Sequence, residues 1–271
     1  MSEWNAMTYE GKDTILRVVR HEAERFFALA DNDEAWERQT ACDNWTTRDA
    51  VAHIVDTTEG YFRAFDAARS GSEAPAPFGL PVMHEKADEF ATAFRGVPRE
   101  ELMQRLRDDF HKMQELLDAL GPDDWTGLMV THAYMGPVPA FFYAAGQLMD
   151  YGVHSWDIRQ GSGKEHGLSG DAADLLIPFM FEIWRGTVRA DAVTEPFTIG
   201  IRVSGRNAGD YRVSVSSDGL AYEPGDIESL PAYIEFDAAS MVLCAFGRCN
   251  TGTVRGDMDL AERYLQSFFR I

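Results

Sequence analysis

Two short stretches hold residues that could bind and activate a small molecule. In DYGVHSWDI, Asp150 and His154 are four residues apart, about one turn on a single helix face, because the helix repeats every ~3.6 residues. A histidine and a carboxylate on adjacent turns can share a divalent cation. In NWTTRDAVAHIVD, His53 lies in a helical pattern beside Ala52 and Ile54, and from a facing helix it would complete a three-ligand set. Three protein ligands leave a fourth position for water or an exogenous thiol, which loses its proton near neutral pH when metal-bound. From spacing alone, Asp150 and His154 suit an ordinary intrahelical pair equally well, and His53 a core position.

The elements that must position these residues are legible as periodicity. The chain has 271 residues, enough for about two domains at roughly 150 residues each. Ile15, Leu16, Val18, Val19, Phe26, Phe27 and Leu29 recur at helical intervals and predict a helix over 13–29. The loop TACDNWTTRD follows, with Thr47 as expected N-cap and Asp49 in the first turn. A second helix is predicted over 48–67, with Val51, Ile54, Val55, Tyr61, Phe62 and Phe65 inward. Residues 70–81 have the Gly, Pro, Ser and Ala of a loop. A third helical region breaks near Gly96–Pro98 and resumes over 99–120, closed by Gly121–Pro122. Residues 121–139 read as irregular, and 140–160 form a fourth helix; four such helices suggest a bundle.

Residues 171–189, opened by Ser169, predict a linking helix. Beyond Asp191 the texture changes, and FTIGIRVS and YRVSVSS alternate apolar and polar residues as half-buried strands do. Asn207–Asp210 supplies the turn between them. AYIEF predicts a further strand, and 237–246 and 258–269 predict helices around a short GTV segment. The fold class expected is mixed, α plus α/β: a helical domain over 1–165, then a linking helix and a smaller α+β domain over 166–271.

Composition excludes several function classes. Lys plus Arg number 25 against 44 Asp plus Glu, a formal net charge of −19. Such a chain repels phosphate backbones and anionic lipid heads, so neither nucleic acid nor membrane is an expected partner. No stretch approaches the ~20 apolar residues of a membrane span, and MSEWNAMTYEGKD lacks the features of a secretory signal. Cys42, Cys244 and Cys249 share no metal-binding spacing and point to free thiols in a reducing cytoplasm. His21, His84, His111 and His166 sit among charges or in loops and read as solvated.

NWTTRDAVAHIVD, together with DYGVHSWDI after the loop bearing Gly136, Pro137 and Pro139, resembles the mycothiol-dependent maleylpyruvate isomerase family. The segment FDAASMVLCAFGRCNTGTVRGDMDLAERYLQSFF looks like that family's smaller domain. The resemblance implies a DinB-like four-helix bundle followed by an α+β domain related to sterol-carrier modules. It further implies that the stretch carrying Trp45, Asp49 and His53 supplies one metal ligand, and that Asp150 and His154 supply two more. Asp150 departs from the family's Glu, and its carboxylate reaches one methylene less far from the helix.

Other residues receive roles from their own chemistry and position, and the arginine from the resemblance. Trp45 and Trp156 read as core fillers. Asp157, three residues after His154, would orient a ligand histidine, or pair with Arg159 or Arg48. The family's catalytic arginine corresponds to Arg248, whose planar fork suits a substrate carboxylate; Arg255 is the alternative. Tyr134, with His132 and Met135, would line the mouth of a pocket. The implied protein is a metal-dependent thiol S-transferase or isomerase, with zinc as the metal and mycothiol as cosubstrate. It would work as a monomer or homodimer on a small anionic molecule. The alternatives are a non-catalytic lipid or small-molecule carrier, and a metal-dependent hydrolase using water.

Overall fold

The computed structural model describes residues 3–163, 167–250 and 252–271; His166 lies outside them. Seven apolar side chains on the first long helix, α1 (Lys12–Ala30), are buried, among them Ile15, Leu16, Val19 and Phe26. A one-turn helix, α2 (Asp33–Trp36), is capped by Asn32, whose side chain accepts from Glu34 N at 2.9 Å and Ala35 N at 3.2 Å. The second long helix, α3 (Thr47–Ser70), runs to Gly71, whose φ of 67° supplies the left-handed stop. A shorter helix, α4 (Met83–Ala93), and the long α5 (Arg99–Asp118) follow, then α6 (Pro122–Gly127). A two-stranded hairpin, β1 (Met129–His132) and β2 (Gly136–Pro139), leads into the fourth long helix, α7 (Phe141–Gly161).

The long helices pack α1 along α7 and α3 along α5, and α3 also meets α4, α7 and β1. Val51, Ile54, Val55 and Phe65 of α3, Leu106 and Met113 of α5, and Leu148 and Tyr151 of α7 are at most 1% exposed. Each such side chain contributes roughly 1.5–3 kcal/mol on removal from water, so apolar burial fixes the helix faces that also carry the polar residues of the site.

Two expectations are corrected here. The N-cap of α3 is Thr46, not Thr47: Thr46 is extended (φ −85°, ψ 176°), and its N–H donates to Asp49 Oδ2 at 2.9 Å. A capping box needs its carboxylate three residues after the cap, which selects Thr46. Residues 121–139 are ordered as α6 and the hairpin rather than irregular. Val130 and Val138 face each other across the ladder and are both buried. Pro137 and Pro139, which obscured the pattern, lack N–H donors and are tolerated only where a ladder position needs none.

The chain forms two compact units, one ending at Ala172 and the other spanning Ala173–Ile271. The helix α8 (Gly170–Thr187) precedes a sheet of β3 (Phe197–Ser204), β4 (Gly209–Ser216), β5 (Gly219–Pro224), β6 (Ala232–Asp237) and β7 (Thr253–Gly256). Their order is β5-β4-β3-β6-β7, with β3 and β6 parallel and the other pairs antiparallel. Two short helices, α9 (Ala238–Ala245) and α10 (Met258–Leu265), complete the unit. Ile199, Ile201, Val213, Val215, Ile234 and Phe236 form the buried face of the sheet. On α8, Phe181 stacks on Tyr222 at 4.6 Å and Trp184 on Phe268 at 5.8 Å. Strand β5 escaped the sequence reading because Leu220 is its one buried residue, so the edge strand has no apolar alternation. Among the described residues, no helix is long and apolar enough to cross a membrane.

One glycine ties the loop before α3 to the end of α7. A Cβ on Gly161 would lie 2.0 Å from Gln39 O, a backbone atom that cannot swing away. A Cβ on Gly127 would meet nothing within 4 Å. Gly161→Ala is therefore expected to lower stability by at least about 2 kcal/mol in urea titration, and Gly127→Ala to leave it within about 0.5 kcal/mol.

Candidate metal centre

Along α7, Tyr143, Gln147, Asp150, His154 and Asp157 recur at alternating steps of four and three, which keeps them on one face. That face turns inward: Gln147 and Asp157 are 0% exposed, and His154 is 8% exposed. Gln147 Nε2 donates to Thr58 Oγ1 of α3 at 3.0 Å. One turn and a half back along α3, His53 faces the same stripe, its Nε2 3.6 Å from Asp150 Oδ1. The His53 and His154 rings lie 5.1 Å apart, nearly perpendicular at 82°. One ligand atom from each of His53, Asp150 and His154 lies within 4.8 Å of the others. Trp45, itself buried, covers both imidazoles with centroid distances of 5.0 and 5.6 Å, held by Nε1 donating to Asp88 Oδ1 at 3.0 Å.

The residues fit a divalent cation on two observations. Asp150 Oδ2 is buried without a hydrogen-bond partner, a costly state for a carboxylate oxygen unless a cation or donor meets it. His154 Nδ1 lies 2.9 Å from Asp157 Oδ2. An ionised carboxylate only accepts, so Nδ1 is the donor in this pair and Nε2 is the ring nitrogen on the side away from Asp157. A histidine pinned through one nitrogen by a carboxylate is the usual support for metal ligation through the other.

Asp157 has a second contact that sequence reasoning missed. Cys42 Sγ donates to Asp157 Oδ2 at 3.1 Å and lies 3.9 Å from His154 Nδ1. With His154 and Asp157, Cys42 makes a second cluster of possible ligand atoms within 4.8 Å. Its 112-residue separation from His154 left no spacing to read. Asp157 does not pair with Arg48, whose Nη2 meets Glu37 instead. Asp49 serves the helix cap and accepts from Arg95 Nε at 2.9 Å, which with its backbone partner holds its pKa below the ordinary value despite burial.

The hairpin supplies the opposite wall. His132 Nδ1 accepts from the Tyr134 and Met135 backbone N–H groups, both at 3.3 Å. Burial pulls the His132 pKa down to about 4, with the Asp150 charge opposing. Burial also pushes the Tyr61 hydroxyl well up, and Asp150 adds to the shift. Gly146 makes room for that hydroxyl, since a Cβ there would lie 2.7 Å from Tyr61 Oη. Tyr134 is half-buried in the hairpin turn, its ring 6.0 Å from His132 and 5.9 Å from Phe78. Its pKa is pushed up to about 12 by burial and then by Asp56 and Glu89.

The second unit holds the two candidate arginines. Arg248 follows α9 and donates through Nη1 to Phe246 O at 3.0 Å and Ile271 O at 3.5 Å. Arg255 on β7 is engaged by Glu235, Nε to Oε2 at 2.8 Å.

Comparison with known proteins follows the same lines. Residues 16–159 match a family described as "Mycothiol maleylpyruvate isomerase N-terminal domain". Among solved structures, the chain is similar to the mycothiol-dependent maleylpyruvate isomerase, with a TM-score of 0.62 at 14% identity over 91% of this chain and 94% of that one. A single-residue mutant of that isomerase aligns with a TM-score of 0.61 at 15% identity, again over 91% and 94% of the two chains. At these identities the likeness is one of fold. No curated protein matches the sequence.

The buried imidazole of His132 sets a pH dependence. Its folded pKa of about 4 lies below the ordinary 6.5, so between those values the unfolded chain binds more protons. The stabilisation is complete above pH 6.5 and is lost as pH falls toward 4. Thermal unfolding between pH 7.5 and 4.5 should show wild type losing about 1–3 kcal/mol more than His132→Gln. Parallel profiles would contradict a buried neutral imidazole.

Proposed function

Because the chain belongs to the mycothiol-dependent maleylpyruvate isomerase family, we propose that it is a thiol-dependent metalloenzyme acting on a small electrophilic anion. His53, Asp150 and His154 would hold the metal, and mycothiol would be the cosubstrate. The observation that carries this reading is the approach of three ligand atoms to within 4.8 Å of one another, beside a buried Asp150 oxygen with no protein partner. A divalent metal held there would lower the pKa of a bound thiol and supply thiolate at neutral pH; zinc suits two imidazoles and a carboxylate.

The chain's own residues do the positioning. Asp157 holds the His154 ring through Nδ1, so that Nε2 keeps a fixed direction. Trp45 walls off one side of the two imidazoles and limits water there. On the family resemblance, Arg248 would take a substrate carboxylate, a group that a guanidinium suits. The reaction class is thiol addition to an electrophilic carbon. In an isomerase the new C–S bond breaks again after rotation about the former double bond; in an S-transferase the sulfur stays on the product. On the same reading, the four long helices are DinB-like and the sheet-bearing unit is sterol-carrier-like.

The test is metal content after dialysis, followed by turnover of cis-unsaturated dicarboxylates with and without mycothiol. Wild type should retain about one equivalent of divalent metal. His154→Ala should abolish retention, Asp157→Asn should weaken affinity about 10–100-fold, and Asp150→Glu should preserve it. Turnover that survives chelation, or that proceeds without thiol, would overturn the proposal.

A further inference from the structure

A second feature of the helical unit is lined by none of the residues assigned to the metal. The C-terminal turns of α1 and α7, together with α2, enclose a cleft of about 450 Å³. Its walls include Arg25 and Ala28 of α1, Asn32 and Arg38 flanking α2, and Ile158 and Arg159 of α7. Three arginines thus line one cavity, in a chain whose acidic residues outnumber its basic ones by 44 to 25. No acidic residue is among the described residues lining it.

Elsewhere in this unit several arginines are paired with acids. Arg95 meets Asp49, Arg99 and Arg107 share Asp31, and Arg105 meets Glu59. In the cleft, Arg25 reaches the buried Glu22 at 3.4 Å, a long contact. Among the described residues, the Arg38 and Arg159 guanidinium groups make no hydrogen bond or ion pair. The carbonyl ends of α1 and α7 attract cations, yet neither arginine donates to them. All three arginines are half-buried, so water compensates them incompletely. Burial, and then the charge of Arg25, lower the Arg159 pKa, with Glu22 opposing.

We propose that this cleft is a binding site for a small organic oxyanion, a carboxylate- or phosphate-bearing molecule held by Arg25, Arg38 and Arg159. Guanidinium forks match both groups by paired, charge-assisted hydrogen bonds. The cavity exceeds what an inorganic ion fills and falls in the range of small-molecule sites, about 300–1,000 Å³. Ala28, Leu29, Ala35 and Ile158 give the remainder of such a ligand an apolar wall. The site does not depend on the metal or on the thiol chemistry proposed above.

Two probes distinguish the sources of the oxyanion: inorganic phosphate and the dicarboxylate succinate, each titrated at constant ionic strength. The full chain should show a saturable rise in Tm of about 3–6 °C with at least one of them. The same probe should slow phenylglyoxal modification of Arg38 and Arg159, mapped by mass spectrometry, at least about fivefold relative to the exposed Arg17. Arg38→Gln and Arg159→Gln should each abolish the Tm response. Phosphate alone acting would identify a phosphorylated ligand, and succinate alone a carboxylated one; either supports the site. A non-saturating response to both probes, or uniform protection of all arginines, would overturn the proposal. The protection experiment uses wild-type protein, so it stands even where a variant folds poorly. Metal content is a separate readout, so failure here and failure of the thiol reading are distinguishable.

Discussion

Placing a carboxylate among packed helices is the constraint on which the rest of this structure turns. Asp150 sits at 13% side-chain exposure, with one oxygen near His53 Nε2 and the other without a partner. Burial of an ionised carboxylate costs several kcal/mol unless it is compensated. The surrounding elements are organised about that cost. Helix α3 brings His53, and α7 brings His154 one turn further on. Asp157, buried still deeper, holds His154 from behind. Apolar burial sets the rotation of each helix, and the polar stripe on α7 follows from it, because steps of three and four keep Tyr143, Gln147, Asp150, His154 and Asp157 in line.

The same constraint explains why loops near the site are tightly tied. Trp45 closes over both imidazoles and is anchored at its far end by Asp88. The turn before α3 is secured by the Thr46–Asp49 cap and by Arg95. At the other end of that loop, Ala41 N donates to Asp157 O at 3.0 Å, and Cys42 donates to the Asp157 side chain. A buried polar network stabilises only when its members are satisfied, so each contact that fixes Asp157 also fixes the direction of His154.

Much of this was legible in the sequence, and the gaps have physical reasons. The long helices, and the contrast between a helical first part and a sheet-bearing second part, follow from periods of 3.6 and 2. The four-residue step from Asp150 to His154 states its own geometry once the helix is known. The approach of His53 is a tertiary fact, reached through resemblance rather than spacing. Cys42 left no trace, because its link to Asp157 spans a loop and more than a hundred residues. The hairpin was hidden by its prolines and β5 by its polar edge. The arginines lining the cleft come from three separate elements, and no linear pattern unites them.

The central claim is that His53, Asp150 and His154 share one metal and leave a position for sulfur. Extended X-ray absorption at the metal edge, on loaded protein before and after addition of mycothiol, addresses it directly. The account predicts two imidazole scatterers with oxygen neighbours in the first spectrum, and a sulfur scatterer at about 2.3 Å in the second. A first shell without imidazole, or no sulfur at saturating thiol, would contradict it.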